Sequence, residues 1–198
     1  MEDVATWRKG ERERLIAARR AMPAAAHQAA SAEIGRLLLA RFTPANPGIV
    51  GCYWPFRREF DCLPIMRRII DLGGEVALPA VIRPRRPLQF RPWTPQTEMA
   101  KGVWDIPHPA DGPAVHPVTL LVPLVGFDAA GYRLGYGGGF YDRTLAALPH
   151  RPETWGVGFE LARMETIHPQ PHDVPMDHIV TEAGIKNTAH PRESGAAE

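Results

Sequence analysis

The stretch Val118–Phe127 (VTLLVPLVGF) is the most apolar run in the chain. It has the character of a strand buried on both faces, which needs paired neighbours in its own sheet and cover above and below. The rest of the chain offers both. Strand-like runs at Gly48–Tyr53, Glu75–Val81, Leu88–Trp93, Thr154–Glu160 and His178–Thr181 alternate with helical patterns. The helical patterns cover Glu2–Ala21, Ala24–Arg41, Asp61–Leu72 and a run from near Phe140 to Leu148. This order predicts one α/β domain over residues 1–182, a mostly parallel sheet flanked by helices in a Rossmann-like three-layer arrangement. Residues 183–198 are small, polar and unpatterned, and are expected to be disordered.

Local signals agree with these elements. Acidic residues open the first helix, Arg19 and Arg20 close it, and Pro23 separates it from the second. Asp61 is the expected N-cap of the third helix, with Gly73 just past its end. In the second helix Ile34, Leu37, Leu38 and Phe42 share a core-facing spacing. Gly, Pro, Ser and Gln together make 45 of 198 residues, just short of the roughly 25–30% at which composition alone suggests disorder. Ten of the 21 prolines lie between Pro79 and Pro123, but Phe90, Trp93, Trp104 and Ile106 sit among them. Disordered linkers are poor in aromatics, so this stretch is read as an ordered excursion packed on the sheet, one wall of a site.

Composition excludes several classes of function. A net charge of +1 provides no field for nucleic acid or an anionic membrane. No run approaches the roughly 18 apolar residues of a membrane span, and the start of the chain lacks a signal-peptide pattern. Cys52 and Cys62 read as buried thiols, so a cytoplasmic setting is expected. All but three of the 23 basic residues are Arg, a bias that serves either base composition or anion binding. Arg8, Arg12 and Arg19 fall on one helix face, either as a solvated stripe or as an anion-binding edge.

The most informative segment runs from Leu121 to Leu148 (LVPLVGFDAAGYRLGYGGGFYDRTLAAL). A strand, a turn at Asp128–Gly131, four glycines (Gly135, Gly137, Gly138, Gly139) and a helix start follow one another. Such a loop presents free backbone N–H groups and a positive helix end, as phosphate requires, or it is a tight packing turn. It is neither a P-loop, since no Lys lies between Lys101 and Lys186, nor a dinucleotide fingerprint, since Phe140 stands where a third glycine belongs. Arg133 upstream suits phosphate. Asp142 in the first helical turn suits either Mg2+ beside phosphate oxygens or the helix dipole.

Two more clusters carry candidate groups. In Tyr53–Asp61 (YWPFRREFD), Glu59 follows an apolar strand at the end where open sheets place ligands. A carboxylate there can accept from an amino-pyrimidine ring stacked on Trp54 or Phe56. In Pro171–Thr181 (PHDVPMDHIVT), Asp173 and Asp177 precede a strand, one available to Mg2+ and the other to an Asx turn. Helical His pairs or cysteines that would mark zinc are missing from this cluster.

The run FDAAGYRLGYGGGFYDRTL, followed by GVGFE and PHDVPMDHIVTE, closely resembles the 5-formyltetrahydrofolate cyclo-ligase family, also called methenyltetrahydrofolate synthetases. The likeness spans about nine-tenths of the chain, from the Arg-rich first helix through YWPFRREFD and WDIPHP to Thr181. It implies a single α/β domain that converts 5-formyltetrahydrofolate and ATP to 5,10-methenyltetrahydrofolate, ADP and phosphate with Mg2+. It also implies a small-molecule enzyme acting on reduced folate as a monomer.

Carried over by position, Arg8, Arg12 and the loop Arg133, Leu134, Gly135, Tyr136, Gly137, Gly138, Gly139, Phe140 and Tyr141 match ATP-binding positions. Trp54, Glu59 and Tyr136 to Phe140 match the folate pocket. Asp142 and Asp177 match metal-associated aspartates, and Arg133 and Asp142 carry the catalytic assignment. In the implied reaction the formyl oxygen attacks the γ-phosphate, and N10 then closes the ring with loss of phosphate.

This chain departs from the family pattern at Arg8, where Lys is common, at Ala162 in place of Gln, and at Ile167-His168 in place of Leu-Pro. Those changes leave open a paralogue with another small substrate, or a non-catalytic nucleotide or folate binder. Arg83, Arg85 and Arg86 form a basic turn that suits either solvent or an acidic folate tail.

Overall fold

The structure, a computed structural model, describes residues 3–41 and 48–188. In chain order the elements are α1 (Val4–Ala21), α2 (Ala24–Arg41), β1 (Ile49–Gly51), α3 (Leu63–Asp71), β2 (Glu75–Ala80), β3 (Gln89–Trp93), β4 (Met99–Lys101), β5 (Pro107–Pro109), β6 (Thr119–Pro123), β7 (Gly126–Phe127), β8 (Arg133–Leu134), α4 (Phe140–Ala147), β9 (Glu153–Val157), β10 (His178–Thr181) and β11 (Gly184–Asn187). The main sheet has seven strands in the order β11-β10-β9-β6-β1-β2-β3. Pairings from β10 through β9, β6 and β1 to β2 are all parallel, and the edge strands β11 and β3 are antiparallel. The expected mostly parallel sheet is therefore present.

The alternation of side chains along each strand builds the layers. Val76 and Leu78 of β2 and Leu121 of β6 face α2 and α3, packing with Ile34, Leu38, Ile65, Met66 and Ile69. Their neighbours Ala77, Leu120 and Val122 face the opposite layer, with Phe127, Leu145 of α4, Met176 and Ile179. Helix α3 opens one residue later than its sequence suggests. Asp61 accepts from the Leu63 N–H at 3.0 Å while Cys62 occupies the cap position. Gly73 follows the helix at φ 81°, the left-handed end that the sequence predicts. Phe42, expected to face the core, lies outside the described residues.

Two expectations are corrected. The run Val118–Phe127 is not one strand. β6 ends at Pro123, the Leu124 N–H makes a last bond to Val157 O at 3.1 Å, and β7 then leaves the sheet to pair with β8. A side chain at Gly126 would meet Leu15 and the Met164 sulfur at 2.8 Å, so glycine lets helix α1 close onto this bend. The C-terminal segment also departs from expectation: Gly184–Asn187 forms β11, antiparallel to β10. Its backbone hydrogen bonds need no apolar pattern, which is why composition did not reveal it. Residues 189–198 lie outside the described range.

Ahead of β10, Asp177 is 7% exposed and locked to β9. Its Oδ2 accepts from the Thr154 N–H and hydroxyl, both at 2.8 Å, and its own N–H donates to Thr154 Oγ1 at 2.9 Å. Removing that carboxylate orphans a buried N–H. Asp177→Ala is expected to lower unfolding free energy by about 2–3 kcal/mol in urea denaturation. Wild-type stability in this variant would overturn the lock.

Candidate active site

The strand order reverses direction between β1 and β6, because β2 lies on one side of β1 and β6 on the other. Ligands of open α/β sheets bind at such switch points, beyond the carboxyl ends of the strands. A crevice opens there, with three walls.

The first wall follows β1. The Tyr53 hydroxyl donates to Phe60 O at 3.1 Å and the Cys62 thiol to Tyr53 O at 2.8 Å, fixing the segment from below. Arg57 and Arg58 are both left-handed, at φ 48° and 58°. Arg58 is anchored by bonds to Arg20 O and Met22 O at the end of α1, and Arg57 O accepts from Arg19 Nε. This sharp turn sends Glu59 inward, 5% exposed. Its Oε2 accepts from the Phe56 N–H at 2.9 Å and its Oε1 from the Tyr136 hydroxyl at 2.8 Å. Burial pushes the Glu59 carboxyl up to about 7, against the opposing pull of Arg19 and these hydrogen bonds. Trp54 lines the crevice beside it.

The glycine loop is the second wall. Gly137 (φ 90°) and Gly139 (φ 61°) hold conformations that side chains resist, and Gly139 caps α4. Arg12 Nε donates to Gly135 O at 2.9 Å, tying α1 to the loop. Burial, then the neighbouring Arg8, draws the Arg12 guanidinium down. Arg133 Nη2 meets Asp142 Oδ1 at 3.2 Å. Arg8, Arg12, Arg133, Gly135, Tyr136, Gly137, Gly138, Gly139, Phe140, Tyr141 and Asp142 all line the crevice. Leu134 does not: it is fully buried in the core.

The Pro-rich excursion forms the third wall, as its aromatics predict. Pro79, Leu88, Val103, Trp104 and Ile106 line the crevice, the last three from the β4–β5 hairpin. Trp104, half exposed at φ 57°, stacks parallel to Phe56 at 6.2 Å and meets Tyr136 at 5.8 Å. The basic turn Arg83, Arg85 and Arg86 lies outside the lining.

Arg8 and Arg19 are buried rather than a solvated stripe. The sequence reading of Arg19 as a helix-end charge on a stripe or anion-binding edge did not anticipate its partners: it donates to Tyr136 at 2.6 Å and lies 4.0 Å from Glu59. The long-range partners of a buried Arg leave no mark on local patterns. The two aspartates of the Pro171–Thr181 loop are placed differently. Asp173 lines the crevice, whereas Asp177 is turned to Thr154 and lies outside the lining. Ala162 and His168 are also outside it: Ala162 is core, and His168 packs edge-on against Trp7 at 4.6 Å.

Among the described residues, no three His, Cys, Asp or Glu side chains converge as a metal cage. Mg2+ would fit the glycine-lined end nonetheless, because it takes one or two carboxylates and otherwise water and phosphate oxygens. Asp142 offers such a carboxylate, since its hydrogen bonds from Arg133 and Val174 both fall on Oδ1. Buried Nε–H groups of Arg8 and Arg133 and the Tyr141 hydroxyl have no partner, which is unused capacity for a polar ligand.

The sequence profile of the 5-formyltetrahydrofolate cyclo-ligase family matches residues 4–182. The 5-formyltetrahydrofolate cyclo-ligase of Escherichia coli (strain K12) is 33% identical over 144 residues, covering 69% of this chain and 79% of that protein. The Mycolicibacterium smegmatis protein of the same name is 32% identical over 143 residues, 67% of this chain and 72% of that one. The solution structure of Aquifex aeolicus 5,10-methenyltetrahydrofolate synthetase superposes with a TM-score of 0.79 over 96% of this chain and 99% of that one. At 24% identity that likeness speaks for the fold. Because the matched span runs from the first turn of α1 past the end of β10, and so contains every wall of the crevice, the chain belongs to the 5-formyltetrahydrofolate cyclo-ligase family.

Proposed function

We propose that the protein converts 5-formyltetrahydrofolate to 5,10-methenyltetrahydrofolate, with cleavage of ATP to ADP and phosphate in the presence of Mg2+. One observation carries the reading: a single crevice joins a cationic, glycine-lined end to an aromatic end with a buried carboxyl, and Tyr136–Phe140 border both. The first end suits a triphosphate. The second suits a flat, hydrogen-bonding ring, with Trp54, Phe56 and Trp104 for its faces and Glu59 for its amino-pyrimidine edge.

The reaction asks little acid–base chemistry of the protein. The formyl oxygen attacks the γ-phosphorus, the bond to the ADP oxygen breaks, and a phosphorylated imidate forms. The N10 lone pair then attacks the formyl carbon, the carbon–oxygen bond breaks with release of phosphate, and N10 loses its proton. Arg133 and the loop N–H groups hold phosphate oxygens in line and offset the charge that develops on them. Asp142 would hold Mg2+, which would supply charge that neutralises the phosphates. The aromatic walls exclude water from the activated carbon.

The enzyme is read as a monomer acting on small molecules, and two free buried thiols suit a reducing cytoplasm. A paralogue acting on another metabolite draws no support from Ala162 or His168, since neither lines the crevice.

Three outcomes are expected. Absorbance of methenyltetrahydrofolate should rise when 5-formyltetrahydrofolate, ATP and Mg2+ are mixed with the protein; no ATP-dependent rise at high protein concentration overturns the proposal and favours a binder or paralogue. Asp142→Asn should lower kcat by about 10²–10³-fold with an unchanged circular dichroism spectrum, and full activity would remove Asp142 from the machinery. Glu59 must be ionised to accept two ring N–H bonds, so kcat/KM for the folate should fall roughly tenfold per pH unit below about 7. Glu59→Gln should flatten that limb, and an unchanged profile would sever Glu59 from substrate.

A further inference from the structure

We infer that Arg19 is a positioning residue for Glu59: acting through the Tyr136 hydroxyl, it holds that carboxylate as an acceptor aimed at the folate end of the crevice. The inference rests on the folate reading above and adds to it a residue that lies outside the crevice lining.

Arg19 sits near the end of α1, and Glu59 in the turn after β1. Their side chains are 6% and 4% exposed, with Arg19 Nη2 4.0 Å from Glu59 Oε1, so the two charges act on each other where water screens them poorly. The arginine is the fixed member. Its Nε and Nη1 donate to the carbonyls of Arg57 and Leu124, each at 3.1 Å, and its Nη2 donates to the Tyr136 hydroxyl at 2.6 Å. A hydroxyl that accepts from a guanidinium has one proton left to give. Here that proton goes to Glu59 Oε1 at 2.8 Å. The relay runs one way, from cation to carboxylate.

That direction decides what Glu59 can offer. Oε1 accepts from Tyr136 and Oε2 from the Phe56 N–H at 2.9 Å, so a proton on either oxygen competes with a donor. An ionised carboxylate has about four lone-pair sites. Those left over face the N–H groups of the folate edge. Burial opposes this state by pushing Glu59 up to about 7, and Arg19 is the charge that pulls it back. The other titratable groups around the carboxyl, Tyr53, Cys62, Tyr136 and Tyr141, are themselves raised by burial and are neutral near that pH. Arg57 lies over the Phe56 and Tyr136 rings at 4.9 and 5.9 Å, and Arg58 is held by Arg20 O and Met22 O. Without Arg19 the carboxyl would be protonated over more of the working pH range, with a donor where the folate edge needs an acceptor.

Two measurements test this in wild type, Arg19→Gln, Arg19→Lys, Glu59→Gln and the double variant Arg19→Gln/Glu59→Gln. One is the pH dependence of kcat/KM for 5-formyltetrahydrofolate. The other is carbon-13 NMR titration of the Glu59 carboxyl in the ligand-free protein, its resonance identified by its loss in Glu59→Gln. The positive charge favours the ionised form, so removing it moves the acid limb to higher pH. Arg19→Gln should lie about tenfold below wild type near pH 6, and the gap should close toward pH 9. The carboxyl midpoint should rise in step. Arg19→Lys should keep most of the wild-type value near pH 6, since it restores the charge. The double variant should be no worse than Glu59→Gln alone, because no carboxylate is left to hold. A loss of equal size at every pH would make Arg19 structural only and overturn the inference, as would an unmoved carboxyl midpoint or a double variant showing the product of the single effects. If Arg19→Gln fails to fold, the guanidinium resonances of Arg19 in wild type should titrate with the Glu59 midpoint and stop doing so in Glu59→Gln. No such titration overturns the inference as well. Absence of ATP-dependent turnover in wild type, or an acid limb that persists in Glu59→Gln, is a failure of the functional reading instead. The carboxyl midpoints then decide the inference on their own.

Discussion

A buried arginine in the first helix holds the site together. Arg19 is 5% exposed and donates Nε to Arg57 O, Nη1 to Leu124 O and Nη2 to the Tyr136 hydroxyl. A guanidinium is tolerated in an interior only where its donors find acceptors. Those acceptors belong to the turn after β1, the bend after β6 and the glycine loop. Meeting one charge thus fixes the relative position of three pieces of backbone. Glu59 gains its Tyr136 hydrogen bond from the same arrangement.

The sheet determines where that arrangement stands. With β2 and β6 on opposite sides of β1, the chain diverges at the carboxyl ends of β1 and β6 and leaves a crevice that no crossover covers. The helix α1 reaches across it, with Arg8 and Arg19 buried and Arg12 half-buried along one face: Arg8 meets the segment before β10, Arg12 the glycine loop and Arg19 the turn after β1. Gly126 permits that approach at one end, and the left-handed glycines at 137 and 139 shape the loop at the other. The β4–β5 hairpin brings Trp104 over the opening, stacked on Phe56.

Much of this was legible in the residues. The alternation of strands and helices predicted the layers, the glycine run marked one wall of the crevice, and aromatics among the prolines marked another. Boundaries failed where a tertiary contact overrode a local pattern. Val118–Phe127 reads as one strand because all of it is apolar, but its second part is apolar for a different reason, packing Phe127 under β8 and the far layer. β11 was missed because backbone pairing at an edge needs no hydrophobic signature. Asp173 and Asp177 have the same chemistry four residues apart, and only the Thr154 contact and the Gln170 turn tell them apart.

By itself the sequence determined what is periodic or chemically distinctive within short range: the α/β class, the glycine loop with Arg133 and Asp142, and the family these motifs resemble. Only the tertiary structure decided which cation meets which acceptor. It buried Arg19 against Tyr136, paired Arg8 with Asp173 across 165 residues, and raised Glu59 by removing it from water. The reason is physical. Propensity and periodicity act over a few residues, whereas desolvation and charge pairing depend on every segment that packs around a group, and those segments are distant in the chain.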